Sequence, residues 1–198
     1  MQHRQAEVVI LGGTPGGIGA ALASARRGRK TVMIEPTAYI GGLMASGLGV
    51  TDIHSLDSAG SVFREYASRV VRHYVETYGP DSEQVVHCRQ GLRFEPSVAK
   101  KILWEMINAE AHLQVLLSHE FVSVRLDGNH LQSIMVRPLA GGEEVTFTAE
   151  VFIDATYEGD LAAMAGVPYS LGRESRDEWN EEYAGTLYQN FRTKEVLP

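Results

Sequence analysis

The chain of 198 residues contains one cysteine, Cys88, so it cannot form an internal disulfide. That composition suits a reducing compartment and gives a cytoplasmic expectation. No Cys-x-x-Cys is present, which excludes a redox dithiol. There is no basic surplus either: 18 Lys and Arg face 25 Asp and Glu, for a formal charge of −7. A nucleic-acid binder with a basic face is therefore not expected. No long uninterrupted apolar run occurs. Val8 to Ala25 carries no charge and ends on Ala23-Ser24-Ala25, like a signal-peptidase site, but five glycines and Pro15 interrupt it. In a helix interior a proline costs about 3 kcal/mol and a glycine about 1 kcal/mol, so neither a membrane span nor a signal segment is expected. The seven histidines are scattered without an His-Glu-x-x-His or other paired motif, and no metal site is expected.

What is present begins at Val8. Residues 8–35 read VVILGGTPGGIGAALASARRGRKTVMIE. A β-branched strand (Val8 to Leu11), a glycine-rich turn, a small-residue helix (about Gly17 to Arg27) and a second strand (Thr31 to Ile34) follow in the order of a dinucleotide-binding βαβ unit. Gly12, Gly13, Gly16 and Gly17 let the backbone approach a pyrophosphate. The helix N-terminus directs free N–H groups and a positive dipole end at it. Gly28 suits the helix C-terminal cap, and Arg26, Arg27, Arg29 and Lys30 read as a solvated, dipole-complementing end. Glu35 closes the second strand about 20 residues beyond the glycines, where a carboxylate accepts both ribose hydroxyls and repels the extra phosphate of NADP. One position departs from Gly-x-Gly-x-x-Gly: Thr14 replaces the middle glycine, and its hydroxyl is a candidate phosphate donor. An ordinary glycine turn without a ligand would leave Glu35 unexplained.

Between Pro36 and Thr51 no charge occurs, and Gly41, Gly42, Gly47 and Gly49 alternate with Ile40, Leu43, Met44, Leu48 and Val50. A loop both glycine-rich and apolar suits packing against a flat, apolar ligand better than free motion. Further on, period and punctuation predict a helix over Ser61 to Tyr78 with Phe63, Tyr66, Val70 and Tyr74 on one face. Gln84 to Phe94 reads as a strand or irregular crossing. A second helix starts at Pro96 with a stripe of Val98, Ile102, Met106 and Ala109. Leu113 to Leu117 is expected as a third parallel strand. Phe121 to Leu126 and Leu131 to Val136 form a hairpin about Asp127-Gly128-Asn129, and Val145 to Ala149 adds a third antiparallel strand. Val151 to Asp154 is a buried strand, and Asp160 an N-cap for the helix LAAMA.

The segments GGTPGGIGAA, VMIEPTAYIGGLMASGLGVTD, LRFEPSVAKKILWEMI and VFIDATYEGDLAAMAGVPYSLGRES resemble the N-terminal part of a bacterial FAD-dependent oxidoreductase family among the glutathione reductase-type flavoproteins. The resemblance implies an α/β, three-layer Rossmann-like FAD/NAD(P)-binding domain: a parallel sheet with helices on one face and an antiparallel β-meander on the other. It implies FAD as cofactor, with Gly12, Gly13, Thr14, Pro15, Gly16 and Gly17 at the pyrophosphate and Glu35 and Pro36 at the ribose. Gly41, Gly42, Leu43, Ser46 and Gly47 would line the inner half, and the backbone near Phe121 would meet the adenine. Ala155 and Thr156 stand where such proteins carry Ala-Thr-Gly, with Tyr157 in place of the glycine and Asp160 close by. His54 and Tyr157 are further positions near the flavin in a longer relative. Such relatives are at least twice as long and return a later glycine-rich segment to the FAD domain.

The resulting expectation is a FAD-binding domain over 1–170 and the start of a substrate domain or tail over 171–198, with a strand at Val167 to Leu171. Trp179, Tyr183, Tyr188 and Phe191 would pack on a missing C-terminal region or a second copy. The function is flavin-mediated hydride or electron transfer on a small-molecule substrate, without catalytic residues assigned. Two alternatives stay open: a non-catalytic dinucleotide-binding module that needs a partner, and an NAD-dependent dehydrogenase.

Overall fold

The structure is a computed structural model that describes residues 2–53, 55–185, 188–190 and 192–197, the side chains of 188, 189, 196 and 197 excepted. His54, Phe191 and the Tyr188 side chain lie outside the described residues. The chain divides into two compact units, Met1–Gly166 and Val167–Pro198. In order, the first contains β1 (Gln2–Gln5), β2 (Val8–Leu11), α1 (Pro15–Ala25), β3 (Thr31–Glu35), α2 (Gly42–Ser46), α3 (Ser61–Tyr78), α4 (Glu83–His87) and α5 (Pro96–Asn108). Then come β4 (Leu113–Leu117), β5 (His119–Asp127), β6 (His130–Pro138), β7 (Val145–Thr148), β8 (Val151–Asp154) and α6 (Asp160–Met164).

The central sheet is parallel in the order β4-β3-β2-β8. Alternate residues of its buried strands point to opposite faces, and each face has its own core. Val8, Ile10 and Met33 pack with Ile18 and Leu22 of α1, Tyr66 and Val70 of α3, and Ile102 and Met106 of α5. On the other face Val9, Leu11, Val32 and Ile34 meet Ile134, Val136, Val145 and Phe147 of the second sheet. Helices, parallel sheet and β-meander are thus three layers, and the fold class read from the sequence is the one observed.

The meander is antiparallel across β5, β6 and β7, and β1 joins its edge parallel to β7. Nothing in Gln2–Gln5 signalled that strand, because four polar, exposed residues carry no alternation. Helix α3 occupies the expected residues, with Tyr66, Val70 and Tyr74 buried. Helix α5 begins at Pro96, but Ala109 is its exposed C-cap, and the buried face is widened instead by Ala99, Leu103 and Ile107. The expected strand or crossing at Gln84 to Phe94 is a one-turn helix, α4, followed by a 3₁₀ turn at Arg89–Gly91. Ser82 starts α4 by accepting the Val85 N–H at 3.4 Å, and the left-handed φ of Arg89, Gln90 and Gly91 reverses the chain.

The basic run after α1 is more than a solvated helix end. Arg26 donates to Glu65 of α3 and to Glu110, both at 2.6 Å, so it ties three parts of the helical layer together. Arg29 pairs with Glu7 at 2.7 Å.

The second unit holds a one-turn helix, α7 (Arg176–Trp179), and a two-residue antiparallel pair, β9 (Tyr188–Gln189) with β10 (Val196–Leu197). The strand expected at Val167 to Leu171 does not form; that segment is exposed and pairs with nothing among the described residues. Trp179 and Tyr183 are exposed.

Candidate cofactor site

Three parallel strands, β3, β2 and β8, end side by side, and the loops that leave them interlock. At the end of β2, Gly12 turns with φ +105° while its N–H donates to Ile34 O at 2.8 Å. A Cβ on Gly12 would stand 2.4 Å from Ala155 O, and one on Gly17 2.0 Å from Gly12 O. Both glycines are therefore required by close packing of protein on protein. Gly16 differs. A Cβ there would meet only Thr14 Oγ1, at 3.8 Å, so the protein itself does not need the bare Cα. Among the described residues the N–H groups of Thr14 and Gly16 donate to no protein acceptor. A cradle open at Gly16, with free donors at the positive end of α1, has the chemistry of a phosphate site.

Thr14 is the N-cap of α1: its Oγ1 accepts the Gly17 N–H at 3.2 Å. The same hydroxyl donates to Ala155 O at 2.8 Å. Its single proton is engaged there, so Thr14 does not offer the hydroxyl donor expected from the sequence; its backbone N–H is the free group.

Glu35 ends β3 with 8 % exposure. Its Oε2 accepts the Gly13 N–H at 2.6 Å and its Oε1 accepts the Thr37 N–H at 2.9 Å. Each carboxylate oxygen keeps a further lone pair, so the fixed carboxylate can still accept ribose hydroxyls. Beside it opens a cavity of about 530 Å³ lined by Leu11, Pro36, Glu120, Phe121, Thr156, Asp160, Ala163 and Met164. Four of those residues, Pro36, Phe121, Thr156 and Asp160, were selected from the sequence. Leu11 and Glu120 were missed. Ala163 and Met164 were missed although they follow Asp160 by three and four residues on a helix, a spacing that shares a face.

Asp160 does not cap α6. Gly159 is the N-cap and Asp160 the first helical residue. The capping is done from a distance: Asp154 Oδ2 accepts the Ala162 N–H at 2.8 Å, and Thr156 Oγ1 accepts the N–H groups of Gly159 and Asp160 at 2.9 and 3.0 Å. Thr156 in turn donates its hydroxyl to Asp154 Oδ1 at 2.7 Å. Burial pushes the Asp154 carboxyl up, but the donors Ala162 N–H and Thr156 together hold it below its ordinary value.

The second glycine turn joins the first through Gly41, whose N–H donates to Gly13 O at 2.8 Å. Gly41 and Gly42 have φ of +100° and +48° and start α2. A Cβ on Gly42 would lie 2.1 Å from the Tyr157 hydroxyl, and that hydroxyl accepts the Leu43 N–H at 2.9 Å. Ser46 donates to Gly42 O at 2.7 Å, and Gly47 caps α2 with φ +136°. The local roles of Ser46 and Gly47 thus lie within α2.

A parallel sheet with helices on one face, a meander on the other, and a cradle of free N–H groups beside a carboxylate at the strand ends defines the class of dinucleotide-binding domains found in flavoproteins. A family model described as FAD dependent oxidoreductase matches residues 7–197. The chain belongs to that family, and FAD is its cofactor. No curated protein matches the sequence. Among solved structures, the chain is similar to the flavin-dependent monooxygenase PieE in complex with FAD and substrate (15 % identity, TM-score 0.60, 88 % of this chain and 34 % of that one). It is also similar to p-nitrophenol 4-monooxygenase PnpA from Pseudomonas putida DLL-E4 (13 %, 0.55, 88 % and 47 %). A third likeness is THI4 from Thermovibrio ammonificans (16 %, 0.51, 83 % and 64 %). At such identities the likeness shows the fold, and the chain spans less than two thirds of each of these structures. Among the described residues no helix is long and apolar enough to cross a membrane.

Proposed function

We propose that the chain is the FAD-binding part of an oxidoreductase of the glutathione reductase type that transfers hydride or electrons to or from a small-molecule substrate. Residues 1–170 bind the cofactor, and 171–198 open a substrate domain. When bound, the isoalloxazine supplies the redox chemistry. The protein's contribution is to bind and orient. The N–H groups of Thr14 and Gly16, at the entrance of α1, hold the diphosphate, with Gly12, Gly13, Pro15 and Gly17 shaping the turn. Glu35 accepts the adenosine ribose hydroxyls, beside Pro36. The cavity along Phe121, Thr156, Asp160 and Met164 takes the adenine. Gly41, Gly42, Leu43, Ser46 and Gly47, with Ala155 opposite, line the inner half.

The observation that carries this reading is Gly16, whose bare Cα and free N–H no protein atom uses, at one end of a line that leads to the buried Glu35. The test is a titration with FAD of the wild type and Gly16→Leu. Leucine favours helix by about 1 kcal/mol over glycine, so the variant should melt no lower than the wild type. Its side chain fills the cradle, and FAD affinity falls at least about tenfold, the equivalent of 1.4 kcal/mol. Equal affinities would remove the cradle from the site.

The share of 34 to 47 % that the chain covers of the two monooxygenases favours a second reading, a cofactor-binding module that needs further sequence or a partner for catalysis. A chain that takes up FAD but whose flavin no reductant of substrate size bleaches, while dithionite does, supports the module. An NAD-dependent dehydrogenase is disfavoured by the match of residues 7–197 to the FAD dependent oxidoreductase family.

A further inference from the structure

Tyr157 stands where a glycine closes the corresponding segment of the resembled flavoproteins, and the structure gives the exchange a purpose. The loop that carries it lies against the first glycine turn, since Ala155 O and Thr156 N are the atoms a Gly12 Cβ would strike. From there the side chain reaches the second turn. Its hydroxyl rests on the bare Cα of Gly42 and accepts the Leu43 N–H at 2.9 Å. Gly42 is therefore bare to admit this phenol. The oxygen is fixed on the second turn, while the residue remains 57 % exposed. The bond from Leu43 occupies a lone pair and leaves the phenol proton, which has no acceptor among the described residues. The hydroxyl of Thr14, on the first turn, has given its proton to Ala155 O. Ser46 has given its own to Gly42 O. Of the two phenols at the second turn, Tyr157 is the one held by a backbone N–H, while Tyr39 stands only against Ser46 Oγ at 3.4 Å.

We infer that Tyr157 is a cofactor-binding residue that donates its phenol proton to an oxygen of the diphosphate–ribityl bridge of FAD. The inference rests on the cofactor placement proposed above. A neutral donor suits an acidic chain here: it binds an anionic diphosphate through a phenol that the Leu43 N–H polarises, since a hydroxyl that accepts a bond donates more strongly.

The experiment is a parallel titration of wild type, Tyr157→Phe and Gly16→Leu with FAD and with ADP. The exposed ring tolerates loss of its hydroxyl, and circular dichroism melting checks that Tyr157→Phe is folded. A lost hydrogen bond to a charged group predicts FAD affinity lower by roughly ten- to a hundredfold in Tyr157→Phe. A matching loss for ADP places the acceptor on a phosphate, and a loss for FAD alone places it on the ribityl chain; either supports the proposal. Unchanged or tighter FAD binding by Tyr157→Phe overturns it. If Gly16→Leu loses FAD while Tyr157→Phe does not, the tyrosine assignment alone falls. A wild type that takes up neither FAD nor ADP overturns both readings.

Discussion

At the scale of single residues, glycines that look alike in sequence do different work. Gly12 holds a left-handed φ of +105° against the backbone of Ala155, with 2.4 Å for any Cβ. Gly12→Ala adds conformational strain to a clash with an atom that cannot rotate away, so it should cost at least about 3 kcal/mol. A fall in melting temperature of many degrees checks this, in contrast to Gly16→Leu, which should melt no lower than the wild type. Tyr66 of α3 is buried. Its hydroxyl is buried and has no partner among the described residues, and burial raises its pKa far above the ordinary tyrosine range. Tyr66→Phe removes an unsatisfied polar group and keeps the ring contacts with Phe63 and Phe94. It should raise stability by about 1–3 kcal/mol, read from urea denaturation. The positions of Gly12, Gly16, Gly17 and Glu35 were legible, because strand, turn, helix and acid follow at fixed spacing. Their individual reasons were not. Ala155 is 143 residues beyond Gly12 in the chain, and Tyr157 is 115 beyond Gly42, so only the folded molecule brings those atoms together.

At the scale of elements, periodicity located α3 and α5, since an amphipathic stripe encodes a helix that buries one face. It failed for α4, which has five residues, none of them buried, and whose start depends on a Ser82 cap. It failed at Asp160 for a related reason. The residue type is right for a cap, but Asp154 and Thr156 reach the same N–H groups across a turn. Arg26 and Glu65 join α1 to α3, and the Arg26 hydrogen bond holds the Glu65 carboxyl below its ordinary 4.5, with burial opposing. A lowered folded pKa adds stability that is complete above the unfolded value and is lost as pH falls through the folded one. Wild type should therefore melt above Glu65→Gln at pH 7, by the equivalent of about 0.2–1 kcal/mol per exposed pair. The gap should close as pH drops below about 4.5. A gap independent of pH would remove the ion pairs as its cause.

At the scale of the molecule, every residue of the two hydrophobic cores lies between Ala6 and Leu161. A chain ended at Gly166 keeps both cores and should melt within about 2 °C of the full chain, the shift expected from well under 1 kcal/mol. The three layers were legible in the sequence, because continuous apolar strands, amphipathic helices and an alternating hairpin imply different partners. The elements described after Gly166 were not, since that polar, charged stretch carries no period. The central claim is that the adenosine diphosphate end of FAD lies across the entrance of α1, with its ribose on Glu35. Displacement of protein-bound FAD by ADP and by riboflavin, followed by flavin fluorescence, tests it most directly. ADP in excess should displace FAD competitively, and riboflavin should not bind in the same range. Flavin that stays bound in excess ADP, or riboflavin that binds as tightly as FAD, would contradict it.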